Sequence, residues 1–217
     1  MKKKILLAML AVILIVAMSV AGTLAFLSQK TDAPLKNTFV AAGGGKIIDE
    51  NGPEDPTDPD VKGFFLVEHK VKYVDNNYSA ATPEEFVKVN TYDKVAPNME
   101  LFKDPMVTVN IEKEAEVYIF VKVTSTMNDA LSYKLTADWT SIGGGVYVYK
   151  NAVQTGGDGV ELNNVQILKE NKVVVDDVTT FGELTDGALG ELEFCAYICQ
   201  AQGFDTASAA WTACFGS

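Results

Sequence analysis

From residue 61 onward the chain is a succession of short runs rich in β-branched and aromatic residues. Turn signals rich in Gly, Asn, Asp or Pro separate many of them. Such residues favour a pleated, half-buried backbone, and the turn residues cut it into strands. Residues 61–74 (VKGFFLVEHKVKYV) form one run. In residues 107–111, Val107, Val109 and Ile111 alternate with Thr108 and Asn110. A charged turn at residues 112–116 and the run 117–123 (VYIFVKV) then complete a hairpin pattern. Further strands are expected at residues 133–139, 146–149, 160–168, 172–175 (after a Glu170-Asn171 turn) and 192–199. Gly143-Gly144-Gly145 and Gly156-Gly157-Asp158-Gly159 supply tight turns, since glycine tolerates positive φ. Strands that follow one another without intervening helices imply an all-β, two-sheet sandwich. Two short helices are expected beside it. Thr82, Pro83 and Glu85 start one over residues 82–87. Asp205 caps the other over residues 205–215, where Ala207, Ala210, Trp211, Cys214 and Phe215 recur at helical spacing.

The N-terminus has a different chemistry. Lys2, Lys3 and Lys4 precede an uncharged stretch from residue 5 to 29. A positive start, an apolar centre and a small residue at the exit make an export signal. About twenty apolar positions also suffice for a helix to cross a bilayer core of about 30 Å. The segment is therefore a cleaved signal peptide or a retained membrane anchor helix. Either way, the chain from about Phe26 leaves the cytoplasm, with the lysines held inside. This divides the chain into a leader (1–25), a polar arm (26–45) and a β domain (46–217). About 190 residues remain beyond the leader, enough for one large β domain.

Charge narrows the partners. The formal net charge is −11, and losing the leader's three lysines takes it to −14. Such a surface repels phosphate backbones, which excludes nucleic acid as a partner. Residues 51–60 (NGPEDPTDPD) hold three prolines and four acids. Asp55, Asp58 and Asp60 are calcium-type ligands, but the prolines oppose a chelating loop, so a solvated acidic loop is expected.

No catalytic or metal site emerges, and no cofactor is implied. The one histidine, His69, rules out an H-E-x-x-H zinc motif, and nothing around it resembles a nucleophile elbow. Cys195 and Cys199 lie four apart in a strand, about 13 Å at about 3.3 Å per residue, too far to share a metal or a bond. Leu192, Phe194, Ala196 and Ile198 make one apolar face of that strand, and Cys195, Tyr197 and Cys199 make the other. The C-terminal helix is the natural cover for the cysteine face. Buried thiols are favoured there, with a disulfide from Cys214 to Cys195 or Cys199 as the alternative. Trp139, Tyr133, Tyr147 and Tyr149 are candidates for a sugar-binding face, but they read more simply as core and cross-strand pairs.

Three stretches carry a family resemblance: the leader with GTLAFLSQKTDAPLKNTFVAAGG, the central Ala96-Pro97-Asn98 and Lys103-Asp104-Pro105-Met106-Val107-Thr108-Val109, and the terminal YICQAQGF followed by Ala209-Ala210-Trp211. Together they resemble the TasA/camelysin family of Gram-positive bacteria, whose leaders are of the SipW-dependent type. The resemblance implies a jelly-roll-like sandwich and cleavage after Ala25 by a dedicated signal peptidase, exposing Phe26. It also implies a secreted or cell-surface, matrix-building role, in which the N-terminal strand of one subunit completes the sheet of the next in a fibre. The acidic insertion, the C-terminal helix and the three cysteines depart from that pattern. Camelysins have been classed as metallopeptidases, so a surface peptidase is the rival expectation. A binding module tethered by an uncleaved leader is a third.

In the arm, Leu35, Asn37 and Phe39 fall on one face of an extended segment, with Lys36, Thr38 and Val40 on the other. Such a strand either pairs within its own domain or adds to the sheet of a second copy, and a swapping strand does both. Removing residues 30–40 is expected to abolish assembly and leave the sandwich folded.

Overall fold

The computed structural model describes residues 29–30, 35–41, 63–111, 116–150, 153–154, 160–177, 188–201 and 203–216. The leader, the Ala25–Phe26 junction, the acidic loop at 51–60, residues 112–115 of the charged turn and the Gly156–Gly159 turn lie outside these residues.

The described chain is all-β, with one short C-terminal helix. Its first strands are β1 (Gln29–Lys30), β2 (Leu35–Ala41), β3 (Gly63–His69), β4 (Val71–Val74), β5 (Asn77–Ala80) and β6 (Phe86–Val87). Next come β7 (Val89–Val95), β8 (Glu100–Phe102), β9 (Met106–Ile111), β10 (Glu116–Ser125), β11 (Leu131–Leu135) and β12 (Trp139–Gly143). The series ends with β13 (Val146–Tyr149), β14 (Val153–Gln154), β15 (Val160–Gln166), β16 (Leu168–Val175), β17 (Ala188–Gln200) and the helix α1 (Ala207–Phe215). The large sheet has the order β12-β13-β10-β17-β2-β7, with β1 joined to β17 and β14 to β10. All its pairings are antiparallel except that of β2 with β7. Smaller sheets run β11-β16-β8, β15-β9-β3-β6 and β4-β5.

Two apolar layers hold these sheets. Val117, Ile119, Val121 and Val123 of β10 and Leu192, Phe194, Ala196 and Ile198 of β17 face Phe64, Leu66, Leu101, Val107, Val109 and Val173 of the smaller sheets. On the opposite face, Phe120, Val146, Val148, Cys195, Tyr197 and Cys199 pack under Ala210, Trp211 and Phe215 of α1. A strand apolar on both sides must be covered on both sides, and β17 is.

Several local expectations are corrected. Residues 82–87 are not helical: Phe86 and Val87 pair with His69 and Glu68, and Glu85 O accepts the Lys70 N–H at 2.7 Å, so their backbone bonds go to strands. The cap of α1 is Thr206, whose hydroxyl accepts the Ala209 N–H at 3.1 Å; Asp205 lies one residue too early to do so. The run 61–74 breaks at Lys70, whose carbonyl accepts the Ala81 N–H. β9 and β10 do not form a hairpin. β9 lies between β15 and β3, whereas β10 joins β17 and β13 in the large sheet, where both its apolar faces are covered. The run 133–139 is likewise two strands, β11 and β12. Glu170 and Asn171, at φ 58° and 51°, form a bulge inside β16 rather than a turn between strands. The glycine turn at 143–145 joins β12 to β13 with positive φ throughout.

Candidate functional site

The arm residues Leu35, Asn37, Thr38, Phe39 and Val40 all lie in β2, in the interior of the large sheet. Along β17, Leu35 stands opposite Phe194, Asn37 opposite Leu192, Thr38 opposite Glu191, Phe39 opposite Gly190 and Val40 opposite Ala188. Along β7, Asn37 pairs with Asn90, Thr38 with Thr91 and Phe39 with Tyr92. One molecule therefore fills its own slot. Taking the arm away would remove a strand from between β17 and β7. Beside it, Gly190 (φ +96°) carries a bulge in β17. A Cβ there would run into Thr126 O.

The walls of this slot meet a buried polar cluster. In β3, Phe64, Leu66 and Glu68 share the inward face, so strand alternation carries a carboxylate into the core. In β7 the same alternation turns Asn90 and Tyr92 inward. Lys103 and Asp104 follow β8. Lys103 Nζ donates to Glu68 Oε2 at 2.6 Å, with the two side chains 0% and 1% exposed. Asn90 Nδ2 donates to Glu68 Oε1 at 2.7 Å and to His69 O at 2.9 Å, and Asn90 Oδ1 accepts the Val71 N–H at 2.9 Å. Tyr92 donates its hydroxyl to Phe102 O at 2.7 Å, and the Lys103 ammonium lies 5.1 Å from the Phe194 ring centre. Asp104 takes both the backbone N–H of His69 at 3.1 Å and its Nδ1 at 2.5 Å; the His69 ring rests on Phe86.

Burial sets the electrostatics. Desolvation raises the Glu68 carboxyl against the opposing pull of Lys103, and lowers the Lys103 ammonium against that of Glu68. Both shifts favour the uncharged pair. Asp104 is raised by burial against the pull of His69.

His69 is thus bound to the Asp104 carboxylate. Among the described residues no three His, Cys, Asp or Glu side chains are grouped to hold a metal ion. Cys199 and Cys214 are joined by a disulfide that ties β17 to α1, with Cα atoms 6.8 Å apart, while Cys195 is a buried thiol on the same face. Trp139 and Tyr149 are buried cross-strand partners with ring centres 5.3 Å apart, and Trp139 Nε1 donates to Gln166 O at 2.9 Å. Tyr133 and Tyr147 pack against the same core, so these four rings do not form an open sugar-binding face.

Sequence reasoning missed Glu68 and Asn90 altogether and had Lys103-Asp104 only as part of a motif. The available signal was a polar residue at an inward position: Glu68 two after Leu66, and Asn90 two before Tyr92. No family model matches this chain, and neither the curated proteins nor the solved structures contain a match.

Proposed function

We propose that the chain is an exported, non-enzymatic structural protein of the cell envelope or extracellular matrix. It self-associates by strand addition, the arm of one copy entering the sheet of the next. In this reading the leader is cut after Ala25 by a dedicated signal peptidase, and the body is a jelly-roll-like sandwich of the TasA/camelysin type. The observation that carries it is the position of β2, which finds backbone partners on both sides, in β17 and in β7. A slot open to one strand on two edges binds that strand through main-chain hydrogen bonds, and register comes from alternating side chains. Connectivity permits exchange. The twenty-one residues 42–62 separate β2 from β3 and span at most about 70 Å when extended, so one arm reaches its own slot or a neighbour's.

The test is a cysteine pair at Thr38 and Glu191, which face each other across β2 and β17. In Thr38→Cys/Glu191→Cys protein, oxidation of dilute monomer should give an intramolecular bond. Oxidation of assembled material should give a ladder of covalent multimers on a non-reducing gel. Polymers that yield only intramolecular bonds would show that the copies meet by some other surface.

A further inference from the structure

We propose that Lys103 and Asn90 join in an amide cross-link, with Glu68 moving the proton between the attacking and departing nitrogens. The geometry brings both nitrogens to Glu68. One carboxylate holds both nitrogens, Lys103 Nζ at 2.6 Å on Oε2 and Asn90 Nδ2 at 2.7 Å on Oε1, so nucleophile and leaving group sit on the same proton carrier. The Val71 N–H points at Asn90 Oδ1 from 2.9 Å, where it polarises the side-chain carbonyl and stabilises the oxyanion formed on attack. Burial favours an uncharged amine on Lys103 and a protonated Glu68, the forms the reaction needs. Tyr92, Leu101 and Phe194, all at 0% exposure, keep the surroundings apolar, which protects the amide from competing water.

The step balances without a cofactor or oxidant. A bond forms between Lys103 Nζ and Asn90 Cγ, and the bond between Asn90 Cγ and Nδ2 breaks. Glu68 accepts a proton from the attacking amine and returns one to the departing nitrogen. Ammonia leaves, and the carboxyl ends as it began. The product ties β7 of the large sheet to the segment between β8 and β9, beside the slot that β2 fills. An ion pair left in such a core is a weak source of stability, because desolvation offsets its attraction. The same three side chains joined as a neutral amide carry no such cost.

Mass spectrometry of the folded, leader-processed protein tests this. The intact mass should fall one ammonia, about 17 Da, short of that calculated for the N-terminus the chain carries with the Cys199–Cys214 disulfide formed. Trypsin should release residues 89–94 joined to residues 95–113, with cleavage after Lys103 lost. Glu68→Gln keeps the shape and removes the proton carrier, so it should show full mass and separate peptides. Should that variant fail to fold, the wild-type peptide map decides alone. A wild-type chain of full mass overturns the proposal. So does a loss that maps elsewhere, such as a succinimide at Asn51-Gly52, or a cross-link that persists undiminished in folded Glu68→Gln.

Discussion

Tyr92 stands where the polar cluster meets the apolar core, and its hydroxyl donates to Phe102 O at 2.7 Å. Its ring packs edge-on against Tyr78, 4.9 Å between centres. Tyr92→Phe keeps the ring and leaves a carbonyl without that donor, at a cost of about 1–2 kcal/mol. The denaturant midpoint should fall with an unchanged slope. The hydroxyl also couples stability to pH. Burial, followed by the nearby Glu68 and Asp104 charges, holds the Tyr92 phenol well above its ordinary value. The folded protein therefore keeps a proton that the unfolded chain gives up near pH ~10. This contribution is whole below that pH and is lost as pH rises beyond it. Tyr92→Phe should flatten the alkaline fall in stability as well as lower the plateau; an unchanged alkaline limb would assign that fall to other phenols.

Among the elements, β17 pairs with β10, β2 and β1 and is covered on both faces. Gly190 is the point where it bulges to meet β2. Gly190→Ala adds strain at φ +96° and a clash with the backbone of Thr126 and Met127, together about 2–4 kcal/mol. It should lower Tm and speed amide exchange in residues 36–40, which pair alongside. A variant with unaltered exchange there would mean that β2 is seated independently of the bulge. The two faces of β17 were legible in the sequence, because residues 192–199 alternate between two apolar sets and period two is a local property. The helix that covers one face was legible for the same reason. The choice of partner was not. β9 and β10 are adjacent in sequence yet belong to different sheets, and pairing at a distance depends on which faces are already covered. The polar cluster was hidden for a related reason. Its members come from three segments, at 68–69, 90 and 103–104, and nothing in their spacing announces that the fold brings them together.

At the scale of the whole molecule, the question is whether the arm is a guest in the sheet or part of its frame. β2 satisfies backbone groups of β17 from Ala188 to Phe194 and of β7 from Val89 to Val95. Without it, the edges of β17 and β7 that it pairs are left bare. Each lost backbone hydrogen bond costs about 1 kcal/mol, and a domain of this size has only about 5–15 kcal/mol to lose. A chain beginning at residue 46 should therefore be aggregated or lack a cooperative unfolding transition. Exposed edges of that length invite pairing with any extended segment. A synthetic peptide of residues 26–42 should restore a cooperative transition whose midpoint rises with peptide concentration, as expected for a ligand that binds only the folded state. A peptide of the same composition in scrambled order should not, because a misplaced register puts the wrong side chains on each face. If the truncated chain melts as cooperatively and as high as the complete one, β2 is peripheral and strand addition loses its driving force. If the peptide rescues it, the slot accepts its strand in trans, as assembly between copies requires.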